Sequence, residues 1–461
     1  MGRNSPGGQA EGISLRPAHV LVSSYVGAIL IGTLLLSMPL SWHDAVTVKP
    51  VDALFTATSA VCVTGLIVKD TGLDWSYFGQ GVILLLIQIG GLGLMTFSTF
   101  FVYLMGRRVA LRERVLVRET FGDILAEDPR TLVTGILKIT VFVEAVGILL
   151  LFLRFSRDFS AGRALFVSVF HAISAFCNAG FSLFSTSFMK YRSDLWINAV
   201  VMTLIIIGGL GFPVLADIAG YKRRKRSGYA RPLTLHTRMV LVLTAALIAT
   251  GAVAGFFLEM NRGLVDCSLG TRIMSSLFLS VTARTAGFNT LDTSALSTAT
   301  LFVVMMLMFV GASPGSTGGG IKTTTFGIFL ATARARLRGQ DEINVFRRTI
   351  PREVSNRSLA VFAASLSAVL GFCLALLVTE RASVGAGGNM FRNVTFETLS
   401  AFGTVGLSTG ITPSLSTAGR ALVSALMLVG RIGPLTMVMM MLEGRQRVVS
   451  FEHPHEEIMI G

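Results

Sequence analysis

Stretches of about 20 predominantly apolar residues recur along this chain and constrain its fold more than any other feature of the sequence. Each is long enough to cross the roughly 30 Å hydrocarbon core of a lipid bilayer as an α-helix. Only 14% of the 461 residues are charged, whereas a typical soluble domain has about 25%. We therefore predict an all-α integral membrane protein of several spans with the lipid bilayer as its solvent. The apolar stretches are 18–37, 78–105, 195–216, 235–258, 359–379 and 421–442.

The first apolar stretch is predicted to be retained, because the polar, glycine-rich residues before it include no small-residue cleavage site typical of a signal peptide. The four cysteines are scattered without metal-ligand spacing, and no disulfide framework follows from them. They are Cys62, Cys177, Cys267 and Cys373.

Basic residues are concentrated in the loops 106–133, 221–238 and 334–357, which hold half of the 40 Lys and Arg residues. The positive-inside rule places these loops, the N-terminal segment 1–17 and the tail 443–461 in the cytoplasm, for a multi-pass protein of the cell membrane. The net charge of +14 does not indicate a nucleic-acid partner, because neither interleaved aromatic residues nor a folded basic domain is visible.

An internal repeat surrounds four glycines. The chain reads FTATSAVCVTG up to Gly65, FHAISAFCNAG up to Gly180 and FETLSAFGTVG up to Gly406. Phe lies ten residues before each of these glycines, and Ser-Ala lies six and five residues before it. The segment LFLSVTARTAG, which ends at Gly287, keeps the glycine but loses Phe and Ser-Ala. A bulky apolar residue follows each of the four glycines, and threonine lies six residues after it. Such self-similarity is the signature of a repeat architecture.

We interpret the chain as four membrane–pore-loop–membrane repeats, with eight spans around a pseudo-fourfold pore. An even number of spans separates each glycine from the next, so the repeats are predicted to be parallel, unlike the inverted repeats of many secondary transporters. The predicted repeats cover residues 18–105, 134–220, 235–333 and 357–442.

Each segment that ends at a repeat glycine is predicted to contain about ten helical residues followed by four or five extended ones. Backbone of this kind is tolerated at membrane depth only where it is buried in protein or lines water. Rings of backbone carbonyls from four such loops can replace the hydration shell of a monovalent cation. The C-terminal dipole ends of the short helices favour the same charge. The predicted filter residues are Val63, Thr64, Gly65, Asn178, Ala179, Gly180, Thr285, Ala286, Gly287, Thr404, Val405 and Gly406.

A second unusual stretch, GASPGSTGGGIKTTT at 311–325, separates the apolar residues 299–310 from 326–333. Pro314 and five glycines cannot continue a regular helix. Such a break is expected to line a cavity, although a kink that only aids packing is an alternative. Lys322 in this stretch has the charge to compete with a passing cation.

Arg431 lies in the middle of the last apolar stretch, where a guanidinium is costly and usually faces a functional cavity. The matching positions in the first two repeats are glycines, in the pairs Gly90-Gly91 and Gly208-Gly209. A pore-facing Arg431 would narrow the pore on one side; an interhelical pair with a carboxylate is the alternative.

Four further polar residues lie in apolar surroundings. Arg284 is expected to be structural and to pair with a carboxylate such as Glu397. His171 and Glu397 are expected to be buried hydrogen-bonding residues of the pore helices, and Glu144 is expected to face a neighbouring helix.

The four glycine segments, together with TARTAGFNT and GASPGSTGGGIKTTTFG, resemble the Trk/Ktr/HKT superfamily of potassium transporters, and most closely its Ktr-type membrane subunit. The resemblance extends over residues 18–442, and the chain has no room for the two extra N-terminal spans of the Trk branch. It implies K⁺-selective uptake by a homodimer with one pore per subunit. It also implies a gate built from the loop 311–325 and Arg431, and a separate cytoplasmic nucleotide-binding ring that docks on the basic loops. The implied gate residues are Gly311, Gly315, Gly318, Gly319, Gly320, Lys322 and Arg431.

K⁺ uptake has three alternatives, and the repeated filter segments argue against one of them, a scaffold for another subunit as the sole role. A Na⁺ or mixed-cation pathway is the first; Gly65 argues for K⁺, because plant-type members that favour Na⁺ carry serine there. An enzyme is the second, but GSTGGGIKT is not a phosphate-binding loop, because Ile321 separates Gly320 from Lys322 and no strand precedes it. We therefore predict no enzymatic activity and no cofactor in this chain, with K⁺ as the transported ion. Dependence on Na⁺ or H⁺ is left open.

Overall fold

The computed structural model describes residues 17–43, 48–93, 129–226, 232–265, 267–381 and 389–433. Several predicted features lie outside these residues: almost all of the N-terminal segment, the end of the first repeat, most of the first basic loop, the end of the fourth repeat and the tail.

The described residues fold mainly into α-helices, joined in places by 3₁₀ turns such as Pro39–Ser41 and Thr412–Ser414. In chain order the helices are α1 (Pro17–Leu36), α2 (Pro50–Val61), α3 (Tyr77–Leu92), α4 (Pro129–Phe155), α5 (Ala161–Phe176), α6 (Leu195–Leu210), α7 (Phe212–Arg226), α8 (Leu235–Glu259), α9 (Leu269–Thr285), α10 (Thr298–Phe309), α11 (Thr323–Leu337), α12 (Arg352–Thr379), α13 (Met390–Gly403) and α14 (Thr417–Ile432).

Within the described residues, three helices are long and apolar enough to cross a bilayer, namely α8, α12 and the part Val133–Phe155 of α4. Helix α6 and the first part of α7 form a fourth candidate, bent by 96°. Helices α1, α3, α5 and α10 are apolar but shorter.

Glycines with positive φ end three of the helices at matching points of the repeats. Gly93 follows α3, Gly211 follows α6 and Gly433 follows α14, with φ angles of 79°, 91° and 100°. Glycine adopts this conformation without steric cost, so it ends a helix sharply. The stretch 195–216, predicted as one apolar span, is therefore broken at Gly211, a correction that hydrophobicity alone does not reveal.

A β-hairpin within the basic loop 334–357 corrects the all-α prediction. Strand β1 (Ile343–Val345) pairs antiparallel with β2 (Arg348–Ile350), and Ile343 lies opposite Ile350. Phe346 and Arg347 form the two-residue turn with φ angles of 49° and 63°, as a tight hairpin turn requires. The prediction missed it because glycine or asparagine usually occupies such turns.

Buried aromatic and carboxylate side chains hold the helices together. Phe55, Phe170 and Phe396, the phenylalanines of the repeated motif, are fully buried. Glu259 at the end of α8 accepts a hydrogen bond from the backbone N–H of Ser297 (2.9 Å), directly before α10. Glu380, directly after α12, accepts in the same way from Ser416 (3.0 Å), directly before α14. At the ends of both α8 and α12, a buried carboxylate thus ties a long helix to the residue directly before a later helix.

An ion pair links the beginning of the described chain to its end. Arg420 of α14 donates a hydrogen bond to the buried carboxylate of Asp52 in α2. The guanidinium also donates to the carbonyl oxygen of Pro413 (2.8 Å). The pair joins the first and fourth repeat segments directly.

Candidate functional site

The four repeat glycines lie against one another in a closed ring. Gly65, Gly180, Gly287 and Gly406 have φ angles of 91°, 70°, 78° and 89°, the left-handed region that favours glycine. A Cβ atom added at any of them would overlap the carbonyl oxygen of the residue that directly precedes the neighbouring glycine in the ring. These carbonyls belong to Ala179 for Gly65, Ala286 for Gly180, Val405 for Gly287 and Thr64 for Gly406. We call these four glycines and the residues that immediately precede them the glycine ring.

Helices α2, α5, α9 and α13 lead into the glycine ring, and each ends between two and four residues before its glycine. Their negative dipole ends therefore face the ring, which favours a cation there. The helices have 12, 16, 17 and 14 residues, so the prediction of about ten helical residues was too short.

Serine side chains of the repeated Ser-Ala pair bond to the backbone of the ring. Ser59 accepts a hydrogen bond from the N–H of Gly65 (3.0 Å). Ser400 does the same for Gly406 (3.1 Å). From the sequence alone, these serines only set the register of the repeat. Their position explains the motif, because a buried N–H must find an acceptor.

In the second and third segments, a side-chain hydroxyl donates a hydrogen bond to a backbone carbonyl instead of accepting one from a backbone N–H. The hydroxyl of Ser174 donates to the carbonyl oxygen of Phe181 (2.8 Å). Thr282 donates to the matching carbonyl oxygen of Phe288 (2.7 Å). The third segment therefore retains a brace although it lacks the Ser-Ala pair.

The residues two places before the glycines do not share one conformation. Val63, Asn178 and Thr404 have φ angles of 57°, 60° and 49°, whereas Thr285 is the last residue of α9. Left-handed backbone is uncommon for β-branched residues, and such strained positions cluster at functional sites. The ring is thus similar but not identical in its four segments.

The loop 311–322 is hydrogen-bonded to the C-terminal ends of α6 and α14. Ser313 N–H donates to Gly209 (3.1 Å), and Gly320 N–H donates to Gly430 (3.3 Å). Gly315 accepts from Phe212 N–H (2.9 Å), directly after the break at Gly211. The Lys322 ammonium donates to the carbonyl oxygen of Gly318 (2.7 Å), within the loop itself.

The loop also bonds to the ring segments. The Nδ2 of Asn178 donates to the hydroxyl of Thr317 (2.7 Å). Gly319 N–H donates to the hydroxyl of Thr404 (3.0 Å). Gly318 has no room for a Cβ, because Thr285 and Ala312 lie against it. Glycine at 318 is therefore required by close packing against the third segment.

Arg431 bonds to two backbone carbonyls. One guanidinium nitrogen donates to Thr317 in the loop, and another donates to Gly90 at the end of α3. Within the described part of the chain Arg431 has no carboxylate partner, so the alternative of an interhelical pair with a carboxylate is wrong for these residues. The backbone carbonyls take the place of the carboxylate, since a guanidinium has five donors and no acceptor.

The predicted pair of Arg284 with Glu397 is also wrong. Glu397 instead accepts hydrogen bonds from the hydroxyls of Ser408 (2.9 Å) and Thr412, one at each carboxylate oxygen. Arg284 is buried behind the third segment and donates to the carbonyl oxygen of Gly311 (3.4 Å), where the loop begins.

His171 and Glu144 have the surroundings that the sequence analysis expected. The ring nitrogens of His171 lie 2.8 Å from the Val167 carbonyl oxygen and 3.0 Å from the Ser182 hydroxyl. Glu144 of α4 accepts from the amide of Gln88 in α3 (3.0 Å). Both are buried and contact neighbouring structure.

The arrangement suits one kind of chemistry. Among the described residues, no group of three His, Cys, Asp or Glu side chains is placed to hold a metal ion. The ring instead offers backbone carbonyl oxygens, a type of ligand that can replace the hydration shell of a monovalent cation, and helix C-termini, whose dipoles favour positive charge.

Comparisons with known proteins agree with this geometry. A family model described as TrkH, cation transport protein, matches residues 19–449. Ktr system potassium uptake protein B of Bacillus subtilis is 40% identical, over 97% of this chain and 98% of its own length. The potassium/sodium uptake protein NtpJ of Enterococcus hirae is 36% identical, over 97% of this chain and 98% of its own.

A solved structure shares the fold. The potassium transporter TrkH from Vibrio parahaemolyticus superposes with a TM-score of 0.69 at 18% identity, covering 94% of this chain and 86% of that one. The matches confirm the resemblance inferred from the filter and loop motifs.

Proposed function

The chain belongs to the TrkH family of cation transport proteins, and from this premise we propose that it takes up K⁺ through a selective, channel-like pore. The observation that carries the proposal is the closed glycine ring, in which each glycine packs on the carbonyl before the next one. Four carbonyls around one axis replace the water that a K⁺ ion sheds, and no energy is spent on rearranging them.

The proposed pore is pseudo-fourfold, and eight spans surround it. The repeats are 18–105, 134–220, 235–333 and 357–442, with the filter residues given above as the K⁺ sites. Positive-φ glycines at matching points of three repeats support this division. Short second helices that end at such glycines account for the small number of full-length spans in the described residues.

A Na⁺ or mixed-cation pathway is the second candidate, and one observation favours it: NtpJ, at 36% identity, is named a potassium/sodium uptake protein. Gly65 supports K⁺. A side chain at this position would push against the Ala179 carbonyl and disturb the ring that K⁺ coordination requires.

The loop 311–325 is the proposed gate, with Gly311, Gly315, Gly318, Gly319, Gly320, Lys322 and Arg431 as its working residues. Its support is the set of hydrogen bonds that hold it against the ring segments and against Arg431. Glycines at the points of closest approach allow the loop to move without steric cost.

The proposed assembly is a homodimer in the plasma membrane with cytoplasmic termini. A separate cytoplasmic nucleotide-binding ring regulates it by docking on the basic loops. The hairpin of β1 and β2, which carries Arg347 and Arg348, is a folded element of the third basic loop that such a partner can recognise.

Ion flux through the purified chain in liposomes tests the proposed function. We compare K⁺ and Na⁺ flux for the wild type, for Gly65→Ser and for Gly81→Ser, whose glycine has open space around it. K⁺ flux far above Na⁺ flux, with the preference lost only in Gly65→Ser, is expected. Equal fluxes in the wild type favour the mixed-cation candidate, and no flux of either ion refutes the proposal.

A further inference from the structure

His171 of α5 accepts hydrogen bonds from the backbone that follows the second ring glycine. The N–H of Leu183 donates to its Nε2 (3.3 Å), and the hydroxyl of Ser182 lies 3.0 Å from the same nitrogen. Its Nδ1 lies 2.8 Å from the carbonyl oxygen of Val167. A backbone N–H only donates and a carbonyl oxygen only accepts, so the imidazole is neutral, with its proton on Nδ1 and with Nε2 as the acceptor.

Phenylalanine rings hold this imidazole in its orientation. It stacks on Phe184, with the ring centroids 4.7 Å apart and the planes at 21°. Phe188 lies 5.1 Å away on the same measure, and Phe155 lies 6.1 Å away. The side chain of His171 is fully buried. Phenylalanine makes no hydrogen bond of its own, so this packing keeps Nε2 directed at Ser182 and Leu183.

Residues 182–188, which we call the outer segment, contact both neighbouring repeats. Gly72 of the first repeat has no room for a Cβ, because the carbonyl oxygen of Leu183 lies against it. In the third repeat, the N–H of Asn289 donates to the hydroxyl of Ser187 (3.2 Å). The outer segment therefore joins the first repeat to the third, and the imidazole fixes it to its own pore helix.

Glu397 has the matching position in the fourth repeat, because it also comes directly after the repeated Phe. It accepts from the hydroxyl of Ser408 (2.9 Å), which lies two places after its ring glycine, as Ser182 does in the second repeat. In both repeats this serine accepts the N–H two residues further along, from Phe184 (3.0 Å) and from Gly410 (2.9 Å). The position after the repeated Phe thus serves as an acceptor for the backbone beyond the ring.

The first and third repeats lack this acceptor. The matching residues are Thr56, whose buried hydroxyl has no partner within the described residues, and Phe278, which is apolar. The glycines follow one another around the ring in the order 65, 180, 287 and 406, so the second and fourth segments lie opposite each other. The backbone beyond the ring is therefore held in this way on two opposite sides.

We propose that His171 is a positioning residue that sets the K⁺ preference of the pore by holding the outer segment at a fixed distance from the ring axis. The inference rests on the proposed function, because it concerns the width of the same pore. The fit of a filter to its ion is one source of selectivity for K⁺ over Na⁺. Without the Nε2 acceptor the outer segment is released, and the ring backbone directly before it can contract around the smaller Na⁺.

His171→Phe tests this role, because it keeps an aromatic ring on Phe184 and removes Nε2. His171→Gln places an amide oxygen at the reach of Nε2. Ser182→Ala weakens the contact from the other side and decides the matter where His171→Phe does not fold. Trp196→Phe is the control, because its indole N–H donates to the carbonyl oxygen of Leu150 (2.8 Å) at an exposed site.

Two readouts apply to each protein. The first is hydrogen–deuterium exchange of the outer segment in the purified full chain. The second is the ratio of K⁺ flux to Na⁺ flux in liposomes. We expect His171→Phe to raise exchange of the outer segment about 5- to 150-fold, the factor that corresponds to a buried N–H without an acceptor, and to lower the flux ratio. Ser182→Ala should do both to a smaller degree, because the Leu183 N–H keeps its acceptor. His171→Gln should retain most of the ratio, and Trp196→Phe should match the wild type.

Wild-type flux ratios in both His171→Phe and Ser182→Ala overturn the proposal, and so does unchanged exchange of the outer segment in His171→Phe. An equal loss of the ratio in His171→Gln and His171→Phe also overturns it, because the imidazole would then act by its shape and not as an acceptor. An equal fall in Trp196→Phe has the same consequence. Faster exchange in His171→Phe, with no flux of either ion in any of the proteins, supports the hold on the outer segment and refutes the proposed function, so the two failures are distinguishable.

Discussion

Removing the guanidinium of Arg431 should open the proposed gate. The side chain makes one contact that bears directly on the loop, the hydrogen bond to the Thr317 carbonyl, while its bond to Gly90 fixes the guanidinium in place. A hydrogen bond to a charged group contributes about 1.5–3 kcal/mol. Its loss in Arg431→Ala should shift the loop equilibrium by about 10- to 150-fold. Partial exposure of Arg431 places the effect towards the lower end.

K⁺ flux in liposomes without a regulatory partner is the assay. Arg431→Ala should raise flux at least about tenfold. Arg431→Lys should give an intermediate value, because an ammonium does not present the paired donors that reach both carbonyls. Arg163→Ala is the control, because Arg163 is exposed and its guanidinium lies over the Phe159 ring, 5.3 Å from the ring centroid. Wild-type flux in Arg431→Ala, or an equal rise in Arg163→Ala, would refute the reasoning.

Three further predictions concern the ring, the closure of the repeats and the hairpin. Ser400→Ala leaves Gly406 N–H without its acceptor, at a cost of about 1–3 kcal/mol, and should lower the K⁺/Na⁺ flux ratio. Ser414→Ala, whose hydroxyl bonds within a turn, should leave that ratio unchanged, and equal ratios for both variants contradict the brace. Arg420→Met leaves the Asp52 carboxylate buried and unpaired, which should lower the stability of the folded protein by about 3–5 kcal/mol. The apparent Tm in detergent should therefore fall, and adding Asp52→Asn should recover part of the lost Tm. Arg347→Gly removes a side chain from a left-handed backbone position, a conformation that costs a non-glycine residue about 1 kcal/mol. Amide exchange of residues 343–350 should therefore slow, and faster exchange would count against the turn assignment.

The special role of the four ring glycines and the break in the helix before α11 could be predicted from the sequence, because each prediction rests on a local rule. A glycine that recurs at a fixed position marks backbone that other residues avoid, and φ angles between 70° and 91° at these glycines agree with that reasoning. Five glycines and a proline rule out a regular helix over most of the predicted loop 311–325, and the structure has none over 311–322. The predicted loop was three residues too long, because α11 already begins at Thr323.

Contacts between distant segments were not predictable in the same way. Arg284 and Glu397 carry opposite charges, but Thr412 and Ser408 are closer to Glu397 because of how the turn after Gly406 folds. The side-chain role of Asn178 was missed for the same reason, since Thr317 lies 139 residues away. The sequence did contain one signal. The residue two places before the ring glycine is polar in three of the four segments and apolar only at Val63.

Anomalous X-ray diffraction from crystals grown in Rb⁺, which substitutes for K⁺ and scatters strongly, tests the filter most directly. We expect anomalous peaks on the axis of the glycine ring, level with the carbonyl oxygens of Thr64, Ala179, Ala286 and Val405. Na⁺ should weaken these peaks only when it is present in large excess over Rb⁺. A ring without any peak, or a Rb⁺ site bound by side chains elsewhere in the protein, would contradict the claim that these four glycine segments form the ion pathway.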